Sequence, residues 1–414
     1  MPADTARAEH LARAAEEVLR GNWREGVRRD GTPYAFTCPS TPRYRHQWYW
    51  DSCFHAISWR RVDPRRAREE LRTLLRAGEG GLVPHTVFWD WPAGWRRAPL
   101  YATQSMLRNR ATASIQTPLL ALAWEIVADA SEDDEPGFRE EGLAELRHHY
   151  DWLGNARDPD RDGLITILFP DESGMDDSPK YDHVYGWMAH HLPGYFWLVQ
   201  RSRRLRFDAH AIVARHDEHV EDVLVNVAYA LGLQSLSRLL ADDPAAELYA
   251  ARAERVERAL LERCYDEQSG LFFDLAGPDE LQVPVSTWAS LTPLALSGLP
   301  EDVRRRLVEE HLLHPRRYLA HTGIPSVALE EPTFNPNFDR FRCWRGPAWM
   351  TSAWFLVPPL RELGYEEEAD RIVSSLATAV EHDGFREYYN PLNGKGLAAR
   401  RFGMSTLLVE LIHP

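Results

Sequence analysis

DEQSGLFF, residues Asp266–Phe273, ends a stretch of helical periodicity with a turn in which Gly270 takes a left-handed conformation and Leu271 folds back toward the core. The same punctuation appears in GEGGLVPH (Gly78–His85), DPDRDGLI (Asp158–Ile165) and NPLNGKGLA (Asn390–Ala398). Its recurrence at wide spacing marks a repeated helix-pair unit. Outward from these turns, apolar residues recur every three or four positions in Ala6–Leu19, Ala67–Leu75, Ala113–Val127, Leu143–Leu153, Val184–Val199, Val220–Leu240, Ala245–Leu261, Val303–Leu313, Trp349–Leu363 and Ala369–Val380. Shorter candidates at Asp51–Trp59, Ser286–Leu296 and Gly403–Ile412 bring the total to about a dozen helices. Only Leu164–Phe169 and Leu271–Phe273 read as strands. A dozen paired helices with loops gathered at one end is the arithmetic of an all-α (α/α)6 barrel with loop insertions and few short strands. No Gly-, Ser- or Pro-rich linker divides the chain, so residues 1–414 are expected to form one domain, with Ala130–Gly137 a polar insertion.

Composition narrows the function. A formal charge of -14 argues against nucleic acid or an anionic membrane surface as the partner, and leaves a small molecule. Cys38, Cys53, Cys264 and Cys343 are scattered without a CxxC, so neither a zinc site nor a disulfide framework is suggested. The N-terminal MPADTARAEHLARAAEEVLRGNW is an amphipathic charged helix rather than a signal peptide. No run reaches the roughly 20 apolar residues of a membrane span. The expectation is a cytoplasmic protein, compatible with a homo-oligomer. Neither a G-x-S-x-G elbow nor a phosphate-binding glycine loop is visible, which disfavours hydride and phosphoryl transfer, and no cofactor is implied.

Two loops concentrate the chemistry. ESGMDDSPKYD (Glu172–Asp182) carries Glu172, Asp176, Asp177 and Asp182, and Gly174 and Pro179 bar it from regular structure. GFREYYNPLNGKG (Gly384–Gly396) offers one carboxylate, Glu387, beside Tyr388 and Tyr389. One carboxyl kept protonated, one kept ionised and flat rings for sugar faces are the needs of a glycosidase. Either loop alone reads better as a solvated surface turn. The chain's only lysines, Lys180 and Lys395, fall in these loops, although its Arg preference is explained by codon bias.

Aromatic residues supply further candidates. Fifteen Trp cluster in segments such as QWYWDSCFHAISW (Gln47–Trp59) and VFWDWPAGW (Val87–Trp95), and most belong to the core. Asp51, among Trp48, Tyr49 and Trp50, suits a helix N-cap, or a carboxylate that meets sugar hydroxyls while the rings cover the sugar face. Gln116 in SIQTP, and His85 with Trp89 and Trp91, would each be structural if taken alone. Phe334–Trp349, FNPNFDRFRCWRGPAW, leads irregularly into a helix and offers Trp344 and Trp349 to a pocket or to the core. Arg203–His219 is rich in Arg, read mainly as a solvated helix face. Asp158, Asp160, Asp162 and Gly163 open a calcium-type loop, D-x-D-x-D-G, but Phe169 stands where the bidentate Glu belongs. That half-motif favours a capped acidic turn, and no metal is assigned.

In order, QWYWDSCFH, SIQTP, ESGMDDSP, NFDRFRCWRGPAW and FREYYNPLNGKGL resemble the bacterial members of glycoside hydrolase family 63, above all those acting on mannosylglycerate and glucosylglycerate. The resemblance spans about residue 34 to the C-terminus. It implies an (α/α)6 barrel and inverting hydrolysis of an α-glycosidic bond. Asp176 then matches the general acid and Glu387 the general base, with Tyr44, Trp48, Asp51, Gln116, Trp344 and Trp349 at the sugar subsite. The family's Q-P-P is Q-T-P here. Arg215 is the candidate for a glycerate carboxylate, with Lys180 an alternative cation.

These roles set physical requirements. Asp176 needs a raised pKa, which Asp177, Glu172 and Asp182 would supply by repulsion, and Asp177 competes with it as the acid. Glu387 must stay charged, with Lys395 or Arg386 to keep it so. The rival readings are an α-glucosidase or trehalase-like hydrolase of a neutral disaccharide, and a non-catalytic sugar-binding toroid.

Overall fold

Helices begin where the sequence supplies caps and run in pairs. The computed structural model describes residues 2–28, 30–89, 111–131, 134–186, 188, 192–241, 243–339 and 342–413. Trp91, Trp95 and the middle of the expected Val184–Val199 helix lie outside the described residues.

Six inner segments follow one another around a ring: Tyr49–Trp59, Leu120–Asp129, Val223–Leu239, the 3₁₀ turns of Trp288–Ala295, Met350–Glu362 and Gly403–Ile412. Each packs on the next and the last packs on the first. Outside them lie Pro2–Asn22, Pro64–Arg76, Leu143–Ala156, Ala245–Ala259, Glu301–Leu312 and Glu366–Asp383. The closed double ring is the (α/α)6 barrel.

Sequence explains the layering. An inner helix touches protein on all sides, and Tyr49–Trp59 is buried at every position. An outer helix covers the ring with one stripe, and Ala245–Ala259 buries Tyr249, Ala253 and Val256 at three- and four-residue spacing while its Glu and Arg residues mostly face water. The turn glycines adopt positive φ, 91° at Gly81, 109° at Gly163, 75° at Gly270 and 74° at Gly394.

Several boundaries differ from the periodicity. Val220 and Glu221 form a strand, β1, and the helix starts only at Val223 because the Asp222 side chain caps it at Val225 N (3.1 Å). Strand β1 pairs with β2 (Asp274–Ala276), which pairs with β3 (Leu281–Val283). Leu164–Phe169 makes no hairpin. Ile167 bridges Val220, while Ile165 N donates to Asn226 Oδ1 (2.7 Å) and Leu168 N to Glu172 Oε2 (2.6 Å). Side chains thus take the backbone donors that a second strand would have used. Leu271–Phe272 does pair, with Tyr265–Asp266. Among the described residues, no helix is long and apolar enough to cross a membrane.

Candidate active site

The acidic loop is ordered by neutralising its charges one by one. Glu172 is fully buried and accepts two bonds from Arg157 (3.0 and 2.8 Å), one from Ile115 N (2.9 Å) and one from Leu168 N (2.6 Å). Asp182 takes a two-pronged bond from Arg345 (2.8 and 2.6 Å), whose Nε also donates to the Asp177 carbonyl (3.0 Å). The Asp177 carboxylate accepts from the backbone N–H groups of Cys343 (2.6 Å) and Trp344 (2.8 Å). A buried charge is tolerable only when so satisfied. Gly174, with φ of 78°, turns the chain where a Cβ would lie 2.5 Å from the Trp50 ring, so no larger residue fits. Asp176, at the tip, is the loop carboxylate left exposed, and the Trp344 side chain hydrogen-bonds to it.

The second loop is a hairpin of β4 (Arg386–Tyr389) and β5 (Gly396–Arg400). Its register slips between Arg386 and Tyr388, so Glu387 sits on a bulge. A bulge re-aims a side chain out of the pairing pattern. The Glu387 carboxylate accepts from Tyr44 Oη (2.9 Å) and Ala399 N (3.0 Å), and Arg43 Nη1 lies 3.6 Å away.

Aromatic rings join the two loops. Trp344 stacks on Trp349 at 4.0 Å between centroids, Trp349 meets Tyr388 at 4.9 Å, and Trp344 approaches Trp50 at 6.1 Å. Tyr44 stands edge-on to Trp48 (5.9 Å) and to Phe402 (6.1 Å). Gln116 Oε1 accepts from Trp50 N (2.9 Å), which caps the first turn of Tyr49–Trp59. Asp51 lies within that turn rather than capping it, and is buried.

The electrostatics separate the carboxyls. Asp176 is pushed up to about 6, first by loss of hydration, then by the charges of Asp171 and Glu387. Asp51 rises to about 7, by burial and then by the charge of Glu387. Glu387 itself is raised by burial, against the pull of the Ala399 amide, Arg43, Tyr44 and Arg386. The charge of Glu387 thus contributes to raising both Asp176 and Asp51.

The surroundings of several candidates differ from expectation. Lys180 is not a free cation: it is buried, its ammonium held by Asp222 (2.6 Å) and Asp274 (3.0 Å), which keep it charged against the cost of burial. Glu172 and Asp182 do not raise Asp176, because Arg157 and Arg345 neutralise them; Asp171 does. Asp177, the competing acid, is buried and its two oxygens each accept from a backbone donor. Arg43 and the Ala399 amide, not Lys395, accompany Glu387. Arg215 is exposed beyond a short helix, and no contact among the described residues joins it to this cluster.

A family model described as the mannosylglycerate hydrolase MGH1-like glycoside hydrolase domain matches residues 44–405. The chain belongs to this family of glycoside hydrolases. The enzyme is 32% identical to a mannosylglycerate hydrolase of Thermus thermophilus, over 95% of this chain and 98% of the relative. It is 29% identical to a glucosylglycerate hydrolase of Mycolicibacterium hassiacum, over 94% of each. A crystal structure of a family 63 mannosylglycerate hydrolase from Thermus thermophilus, in complex with Tris and D-glycerate, superposes with a TM-score of 0.82 at 29% identity, covering 97% of this chain and 99% of that one.

Sequence reading missed Asp171 in this glycoside hydrolase. Its carboxyl accepts from Tyr195 Oη (2.6 Å), lies 3.6 Å from His85 Nδ1 and is pushed up to about 7 by burial. It stands one residue before the acidic loop as first delimited, so a wider window would have included it. Arg157, Arg345 and Arg43 carried no signal, since in a chain this rich in Arg only the fold distinguishes a buried partner from a solvated one.

Proposed function

We propose that this enzyme hydrolyses the α-glycosidic bond of mannosylglycerate, glucosylglycerate or both, releasing hexose and glycerate with inversion at the anomeric carbon. Asp176 is the general acid: its protonated carboxyl donates to the glycosidic oxygen as the C1–O bond breaks. Glu387 is the general base: it takes a proton from a water that attacks C1 from the opposite face. The two carboxyls then stand roughly 6.5–9.5 Å apart, leaving room for that water. Trp48, Trp344 and Trp349 border the hexose face, Tyr44 fixes the Glu387 carboxylate, and Asp51 and the Gln116 amide nitrogen meet hydroxyls.

The observation that carries this reading is the asymmetry of the pair. Asp176 is exposed at its loop tip, raised to about 6 and without a guanidinium partner among the described residues, whereas Glu387 accepts two hydrogen bonds beside Arg43. Hydrogen bonds and a nearby cation favour a carboxylate's charged form, and nearby negative charge, which Asp171 and Glu387 bring to Asp176, favours the neutral one. Similarity to curated hydrolases of both hexosylglycerates supports the substrate class.

Incubation with mannosylglycerate, glucosylglycerate, trehalose and kojibiose tests it. Hexose is expected from one or both glycerates, at kcat/KM at least about 100-fold above either neutral disaccharide, the discrimination expected when a site is built to pair a substrate's polar group. Turnover of trehalose or kojibiose alone would assign the enzyme to the neutral-disaccharide reading.

A further inference from the structure

The aspartates of Asp158–Gly163 lack the Glu that would complete a calcium loop in sequence, but the fold brings carboxylates to them from elsewhere. Ile167 bridges Val220, which lays β1 against the segment leaving the loop and sets Glu221 beside it. β2 and β3 pair beside β1, and Glu280, in the turn between them, closes the far side. Ligand oxygens of Asp160, Asp162, Glu221 and Glu280 all lie within 4.8 Å of one another. Asp158 borders the group, its Oδ2 bound by Gly163 N (3.1 Å) and its Oδ1 buried without a partner among the described residues.

A cluster of acids alone can be a solvated patch. Here Glu221 is 4% exposed, its Oε2 is buried with no hydrogen-bond partner among the described residues, and its carboxylate belongs to the group of four. Burying an unsatisfied carboxylate oxygen against like charge is costly unless a cation completes the site. Arg263 pairs with Asp162 and Glu280, and so offsets one of four formal charges, but Glu221 has no bond to it. Oxygen-only ligands, several of them carboxylates on a turn, suit a hard cation of flexible coordination better than one demanding a strict octahedron.

We propose that Asp160, Asp162, Glu221 and Glu280 hold a structural calcium ion, with Glu221 supplying from β1 the ligand that Phe169 cannot. This replaces the reading of Asp158–Gly163 as a capped turn without metal. The site adjoins the acidic loop at two points. Asp158 follows Arg157, which holds Glu172, and Glu221 precedes Asp222, which holds Lys180 and Tyr181 (2.5 Å). Calcium binding therefore stiffens the support of Asp176 without touching substrate.

The test uses the whole enzyme, stripped with EDTA, dialysed and titrated with CaCl2 by calorimetry, with melting temperature followed in parallel. One equivalent is expected to bind and to raise the melting temperature, since a ligand of the native state stabilises it. Glu221→Gln and, at the exposed edge, Asp160→Asn should each weaken calcium binding at least about 10-fold. In EDTA, Asp160→Asn should melt with the wild type, which separates lost binding from misfolding. Absence of binding heat and of a melting shift in the wild type would overturn the proposal. So would wild-type affinity in both variants, or tighter binding of MgCl2 than of CaCl2.

Discussion

Glu387→Gln is expected to lower kcat by about 10³–10⁴-fold, the upper range for a positioned acid or base, while KM stays within a few-fold. The amide keeps the size of the carboxylate and can still bond to Tyr44, so the hairpin retains its bulge, but it cannot accept the water proton. A second readout is specific to the pair. The charge of Glu387 helps raise Asp176, so removing it lowers the Asp176 pKa and moves the alkaline limb of residual activity to lower pH. A variant within ten-fold of wild type at its optimum would remove Glu387 from the base role.

Asp176→Asn is expected to cost a similar factor with natural substrates, because glycerate leaves through an alkoxide-like oxygen that needs protonation. The loss should shrink for an aryl glycoside whose phenolate leaves unaided. In the wild type the acid must be protonated, so kcat/KM falls as pH rises through the Asp176 pKa, about 6 in the free enzyme. The base must be ionised, so activity also falls as pH drops through the Glu387 pKa, itself raised by burial. Asp176→Asn should abolish the alkaline limb and leave the acidic one. Asp177→Asn is the control. Its carboxylate ties down Cys343 N and Trp344 N, so its loss should lower stability without the dependence on leaving group. If Asp177→Asn showed that dependence and Asp176→Asn did not, the acid would be reassigned.

Much of the ring was legible in the sequence, because a helix packed on both sides and a helix packed on one side leave different patterns. Tyr49–Trp59 and Ala245–Ala259 are examples of each. The turn glycines were legible because only glycine takes their backbone conformation at little cost. Asp176 and Glu387 were marked by loop context and by family resemblance, and the charge of Glu387 helps raise Asp176.

What stayed hidden depends on partners distant in sequence. Lys180 looked like a substrate cation because Asp222 and Asp274, which consume its charge, lie on other segments. Glu172 and Asp182 looked like repulsive neighbours of Asp176 until Arg157 and Arg345 were seen to neutralise them. The half-motif at Asp158 looked incomplete for the same reason, since Glu221 reaches it only through the pairing of Ile167 with Val220. Local pattern reports what a residue is, and tertiary pairing decides whether its charge is free.

The most direct test of a proton donor at Asp176 and a water-activating base at Glu387 is the anomeric configuration of the first product. Proton NMR in the opening minutes of hydrolysis, before mutarotation, should show the β-hexose appearing from the α-linked substrate and the α-anomer growing only later. Initial release of the α-anomer would contradict the account, because it requires a carboxylate close enough to attack the sugar itself.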